Sequence, residues 1–401
     1  MNKPLRILGI VNLPWDPRLG AARVWFELSE QWKRAGHKID KFCLSDAFPK
    51  QTRSRALSAW RQAIFPYRAA RFVRQHGGEF DIIDCLIGTL PFAKKSLRFR
   101  GLLVGRSIGL YLDYDKFIRF SRRRWPDQPR GKLIGRLFYT FTSWLLRRHA
   151  DRALRYCDVF NVPNEEEKRS LEQRAADAQI IVLPYGLNEI ERAALASAAR
   201  SVSDRLSRKG ICFLGMWSVR KGSRDWPEIV RAILKAEPSI RFAFLGTMTD
   251  DETVFRDLQL SSREAICCLT NYDPKELPPL IGGCAVALFP SYIEGFGLSV
   301  LEQLACGIPT VCYDVPGPRH IFEENAQFLV PVGNAKAMAE RALQILRMNE
   351  NDYSALSATC RKIAERFRWE QIAADTIHEY EAAFERQRST NRARGAKTVP
   401  V

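Results

Sequence analysis

The chain has 401 residues, 46% hydrophobic and 27% charged, with a formal net charge of +17. That length favours two domains, each able to bury its own core. The apolar content is that of an ordinary globular protein, and no apolar run is long enough to span a bilayer.

In chain order, residues 5–11 read as a first strand, not a secretory signal, because they lack a long apolar region and a small-residue cleavage site. Further strands are expected at 38–44, 81–85, 102–106, 158–162 and 180–183, with helices at 20–35, 53–75, 132–155 and 164–175. The polar stretch 188–209 reads as a linker with one short helix. The second half repeats the alternation, with strands at 211–214, 241–245, 265–269, 285–289, 310–312 and 328–330. Its helices fall at 224–236, 251–259, 274–281, 298–306 and 335–347. Short strands alternating with helices imply an α/β chain of two doubly wound, Rossmann-like domains with parallel sheets covered on both faces. Ligands bind such sheets beyond the strand C-terminal ends, so the cleft between the halves is the expected site. The tail from 387 to 401 is polar and basic and is expected to be disordered.

The positive charge is concentrated. Residues 50–155 hold 24 Lys/Arg against 7 Asp/Glu, which accounts for the whole excess. An acidic partner near the first half is implied: a phosphorylated acceptor or an anionic membrane. The helix expected at 132–155 carries aromatics and basic ends, which suits a lipid interface as well as it suits a core helix with basic flanks. Nucleic acid is disfavoured, since no reading module or stacking platform accompanies the charge. The ten cysteines are scattered, without zinc spacing, and several sit in apolar strands, which fits a reducing cytoplasm.

The most informative segment is 290–309, PSYIEGFGLSVLEQLACGIP. Glu294 and Glu302 are eight positions apart, and Gly295-Phe296-Gly297 lies between them at the start of an expected helix. A helix N-terminus offers unpaired N–H donors and a positive dipole end, so it suits a phosphate. Helical side chains lean toward the N-terminus, so Glu302 can reach a ligand bound at the mouth while Glu294 approaches from the preceding loop. A ligand with both phosphate and hydroxyls, such as a nucleotide sugar, matches that order of groups.

This segment resembles the E-x7-E block of the family 4 glycosyltransferases, retaining enzymes of the GT-B fold. The resemblance continues through Gly307-Ile308-Pro309-Thr310-Val311, Asp314-Val315-Pro316-Gly317 and Phe328 to Asn334. It implies an acceptor-side domain over 1–187, completed by a C-terminal helix at 370–386 that crosses back to it, and a nucleotide-sugar-binding domain over 210–369. Gly215 to Gly222 is similar to the family's G-R-L-x-x-x-K-G segment, whose Arg and Lys bind the donor diphosphate. Lys221 matches, Met216 stands at the Arg position, and Arg220 is the substitute on offer. Gly20 matches the first glycine of the family's Gly-rich first loop, which faces acceptor and donor phosphates, Ala21 replaces the second, and Tyr272 falls where the family packs against the base. Departures are Ile108 at a common histidine position, Tyr185 for Asn and His320 for Glu.

The resemblance implies transfer of a sugar from a UDP-, GDP- or ADP-sugar to a hydroxyl of a glycan or lipid-linked acceptor, with retention and without metal or cofactor. Lys221 with the Gly297 and Leu298 N–H groups would hold the diphosphate, Glu302 the ribose and Glu294 the sugar. Glu294 as a nucleophile in a double displacement is the lower-ranked route. Two rivals stand beside this reading. One is a metal-dependent transferase of the other major fold, using Asp113-Tyr114-Asp115. The other is a non-catalytic GT-B partner at a membrane.

Overall fold

A computed structural model describes residues 3–126, 133–175 and 178–396. All twelve expected strands form, each within about two residues of its expected bounds. The first six are β1 (Arg6–Val11), β2 (Lys38–Cys43), β3 (Ile82–Leu86), β4 (Leu102–Arg106), β5 (Val159–Val162) and β6 (Gln179–Val182). They build one parallel sheet in the order β2-β1-β3-β4-β5-β6. The other six are β7 (Gly210–Leu214), β8 (Arg241–Leu245), β9 (Ile266–Leu269), β10 (Cys284–Phe289), β11 (Thr310–Tyr313) and β12 (Leu329–Val330). Their order is β12-β11-β10-β7-β8-β9, again all parallel. The central strands are apolar throughout because helices cover both faces: all six residues of β10, CAVALF, are buried.

The chain forms two compact units. The first comprises residues 1–111, 125–184 and 369–401, and the second 112–124 and 185–368. In the first, Leu8, Ile10, Phe65, Ile83, Leu103 and Phe160 share one core. Beneath it lies a buried polar cluster. Arg106 donates to Asp84 at 2.7 Å, the Tyr380 hydroxyl donates to Asp84 at 2.7 Å, and the Trp25 indole N–H donates to Asp84 at 3.0 Å. Tyr380 belongs to the Trp369–Ala396 helix, which packs on the Gly20–Arg34 helix and on β4. In the second unit, Phe213, Trp226, Phe244, Val286, Leu288 and Val311 form the core. The segments by which the chain enters and leaves this unit pair with each other, through a bridge between Leu187 and Arg368.

Four sequence expectations need correction. The stretch read as a linker with one helix holds two, Glu189–Ala198 and Val202–Arg208, each capped by a side chain (Asn188 and Ser201). The basic tail is helical as far as Ala396, and its residues 397–401 lie outside the described residues. Helices unforeseen in the sequence occur at Tyr111–Arg124, Pro316–Phe322 and Glu350–Ala364. The first of these contains Asp113-Tyr114-Asp115. These residues sit within a helix of a doubly wound α/β chain, and Asp113 pairs with Lys116 at 3.1 Å. That placement removes the rival fold.

Candidate active site

In the second sheet the strand order reverses between β7 and β10. β7 leads outward to β8 and β9 on one side, β10 to β11 and β12 on the other. Such a reversal opens a crevice beyond the strand C-terminal ends, where ligands of doubly wound sheets bind. The loop after β7 carries Arg220 and Lys221. The loop after β10 carries Glu294 and the glycines.

The two loops meet through one ion-pair cluster. The Lys221 ammonium donates to Glu294 Oε2 at 2.5 Å, and Arg220 Nη1 donates to the same oxygen at 3.4 Å and to the Ile293 carbonyl at 3.3 Å. The Tyr292 N–H donates to the Arg220 carbonyl at 2.9 Å, tying the loops by backbone as well. Lys221 sits 4.5 Å above the Phe289 ring, and the Arg220 guanidinium lies 5.8 Å from the Tyr114 ring. Both cations are thus held by aromatic faces as well as by the carboxylate.

Close approach of these loops depends on Gly222. Its φ is +82°, and a side chain there would run into the Pro290 carbonyl. Burial alone would raise the Glu294 carboxyl, but the Lys221 and Arg220 charges outweigh it and hold Glu294 below its ordinary value. Burial also pushes the Lys221 ammonium down, with Arg220 adding to it and Glu294 opposing.

The Leu298–Ala305 helix begins at this cluster with Gly297 at its cap position in the left-handed region, φ +109°. Gly297 brings no side chain to cap this terminus, and the Val300 N–H donates to the Gly297 carbonyl at 2.9 Å. The Glu294 carbonyl accepts from the Gly317 N–H at 3.1 Å, which pins the loop to the start of the Pro316–Phe322 helix. Glu302 is buried one turn inside the helix.

The structure brings Lys221, Arg220, Glu294, Gly295, Gly297, Leu298 and Glu302 onto two adjoining loops and one helix. Phe296 differs from expectation. Its ring is buried edge-on against Tyr185 and Phe367, both at 5.5 Å, with His320 at 6.2 Å, so only its backbone faces the loop. Tyr185 and His320, two of the departures, therefore pack around Phe296. Tyr272 is half-buried at the β9 end, its ring beside Gly246. Gly20 and Ala21 open the Gly20–Arg34 helix of the first unit. Gly20 is exposed and a side chain there would meet nothing, so the fold itself does not demand a glycine. Among the described residues no group of His, Cys, Asp or Glu is arranged to hold a metal ion.

Sequence reasoning missed Phe289, Tyr114 and the neighbouring cluster around Asp225. Tyr313 donates to Asp225 at 2.6 Å, and Tyr292 also bonds to it. Burial raises the Asp225 carboxyl against those hydrogen bonds. The Tyr292 ring lies against Phe117 and Phe120, at 5.9 and 5.7 Å. The one available signal was the aromatic that ends β10, directly before the glycine loop.

Residues 200–365 match the family described as Glycosyl transferases group 1. Over 134 residues the chain is 30% identical to O-antigen chain mannosyltransferase B of Escherichia coli, covering 33% of this chain and 34% of that protein. Over 208 residues it is 23% identical to the GDP-mannose:cellobiosyl-diphosphopolyprenol alpha-mannosyltransferase of Xanthomonas campestris, covering 51% and 55%. The chain therefore spans between a third and just over half of these curated relatives. Sucrose-phosphate synthase from Thermosynechococcus elongatus shares the fold with a TM-score of 0.72 at 18% identity, over 95% of this chain and 99% of that one. Anabaena HepE in complex with UDP-glucose does so with a TM-score of 0.63 at 16% identity, over 94% and 100%. Residues 200–365 are thus similar to the glycosyl transferases group 1 family, and the chain's two doubly wound parallel sheets are those of the GT-B fold.

Proposed function

We propose that the protein is a retaining, metal-independent glycosyltransferase. It moves a sugar from a nucleoside diphosphate donor to a hydroxyl of a glycan or lipid-linked, anionic acceptor, in the synthesis of a bacterial-type cell-surface polysaccharide or glycolipid. It works in the cytoplasm, at the inner face of the membrane. The observation that carries the reading is the Lys221–Glu294 pair at the strand reversal, directly before an uncapped helix terminus.

Each residue has a role that its position supports. Lys221, Arg220 and the Gly297 and Leu298 N–H groups hold the diphosphate and stabilise the charge that grows on it as the bond to the anomeric carbon breaks. Arg220 supplies the second cation that Met216 cannot. Glu294, beside those cations, accepts from the sugar hydroxyls, and Glu302 accepts from the ribose. Tyr272 lies against the base, and the Gly20–Ala21 loop faces the acceptor. The acceptor oxygen bonds to the anomeric carbon on the face the diphosphate leaves, and the acceptor proton passes to the departing phosphate oxygen. The chain's own cations do the work a metal does in other transferases.

A thermal-shift series with UDP-, GDP- and ADP-sugars tests the reading, since a ligand of the native state raises its melting temperature. The mannosyltransferase relatives make GDP-mannose the first candidate. One nucleotide sugar should stabilise the protein and be consumed with unchanged anomeric configuration, in EDTA as well as without it. Stabilisation by none of them overturns the proposal.

A further inference from the structure

We propose that the Arg55–His76 and Leu133–Ala153 helices of the first unit form a docking face for an anionic lipid bilayer. The two helices pack together, with a ring nitrogen of His149 3.2 Å from the Ala63 carbonyl. The face they turn outward is both apolar and basic.

On the Leu133–Ala153 helix, Leu137, Phe141 and Trp144 follow one another at helical spacing and are 62%, 49% and 48% exposed. Phe141 stacks on Trp144 at 5.9 Å, and the Arg148 guanidinium covers Trp144 at 5.5 Å, so the row is continuous. The helix buries its other side, through Thr142, His149 and Ala153. Leu57 and Trp60 of the Arg55–His76 helix are likewise exposed. The sequence alone left a core helix and an interfacial helix equally open, and these exposures support the second.

Charge selects the occupant. The Arg55–His76 helix has five arginines and no acid, and the Leu133–Ala153 helix has four arginines and one acid, Asp151. A second copy docked face to face would set like charge against like. Nucleic acid would stack on aromatics, but the most exposed side chain, Leu137, has no ring face to offer. Aliphatic and aromatic side chains ringed by arginine suit acyl chains below anionic headgroups. No helix among the described residues is long and apolar enough to cross a membrane, so this one lies on the surface.

Placement links the face to chemistry. Both helices lead into parallel strands of one sheet, β3 and β5, so their N-terminal halves lie toward the strand C-terminal ends. Leu57, Trp60, Leu137 and Phe141 are in those halves. That edge is where doubly wound sheets bind ligands. The inference rests on the transferase reading only in making this lipid the source of the acceptor.

Vesicle co-sedimentation of the full chain tests it, with phosphatidylglycerol–phosphatidylcholine vesicles against phosphatidylcholine alone. Binding should require the anionic lipid and weaken with salt. The variant L137S/F141S/W144S should bind about tenfold or more weakly, and so should R71Q/R136Q, which leaves the apolar row intact. Both should keep the wild-type melting temperature and nucleotide-sugar binding measured without vesicles. The proposal falls if the wild type ignores anionic vesicles or binds neutral ones equally. It also falls if R71Q/R136Q binds undiminished, or if the triple variant instead loses dimerisation or poly(U) binding. Donor binding is read separately, so failure of docking and failure of the transferase reading are distinguishable.

Discussion

Lys221 and Glu294, on loops that follow two neighbouring strands, share a hydrogen bond of 2.5 Å, and most of both side chains is out of water. Each compensates the other's desolvation. Lys221→Met should destabilise the protein by about 2–3 kcal/mol in urea unfolding, less than a fully buried pair loses because Arg220 still reaches Glu294. The double variant K221M/E294M should regain most of that stability, since no uncompensated charge remains. Donor affinity should stay lost in both, and recovery of affinity in the double variant would show the pair to be structural only.

Glu302→Ala should weaken nucleotide-sugar binding about 10–100-fold by calorimetry, the size of a lost hydrogen bond to a charged acceptor. Wild-type affinity in this variant would contradict the ribose assignment.

Two carboxylates should give pH dependences of opposite sign. Glu294 is held below its ordinary value of 4.5, so its stabilisation is complete above that value and is lost as pH falls through the lower folded value. Asp225 is raised above 3.8, so its contribution is complete below that value and is lost as pH rises through the higher folded value. The stability of E294Q relative to wild type should therefore worsen as pH rises through the acid range, and that of D225N should improve. Parallel urea-midpoint profiles for both variants and wild type would refute the assignments.

Gly297→Ala should cost about 1–2 kcal/mol from the left-handed backbone alone, because the space beside it is ordinary. Gly222→Ala carries the same strain and also collides with Pro290, so it should cost more and should loosen Lys221 from Glu294. Chemical denaturation ranks the two variants, and the reverse order would mean that the loops relax apart freely.

Arg106→Met should destabilise the first unit by about 3–5 kcal/mol, since it strands the Asp84 carboxylate in the core with only Tyr380 and Trp25 as partners. Unfolding should show the loss whether or not a nucleotide sugar is present.

Strands were the most legible part of the chain. Runs such as Cys284–Phe289 are buried on both faces and bounded by turns, so composition alone marks them. The Tyr111–Arg124 helix was opaque because it is arginine-rich and almost all of it is exposed or half-buried. What orders it is tertiary, Phe117 and Phe120 lying against Tyr292, and local pattern carries no trace of that. In the candidate site, the spacing of Glu294 and Glu302 and the glycines between them were readable, because they follow from the geometry of a strand-loop-helix turn. The inward turn of Phe296, the Phe289 platform and the buried Asp225 were not, since each depends on residues remote in sequence.

The first unit closes with the last helix of the chain, whose Tyr380 hydroxyl completes the buried Asp84 cluster. During translation the ribosome must therefore make all of residues 185–368 before that cluster can be satisfied, a wait of roughly 10–40 s at about 5–20 residues per second. For that interval the nascent amino-terminal sheet carries an incompletely solvated charge and an uncovered helix face. Any truncation upstream of Tyr380 makes the interval permanent, so shortened products should be substrates for chaperones and proteases even when residues 185–368 are intact.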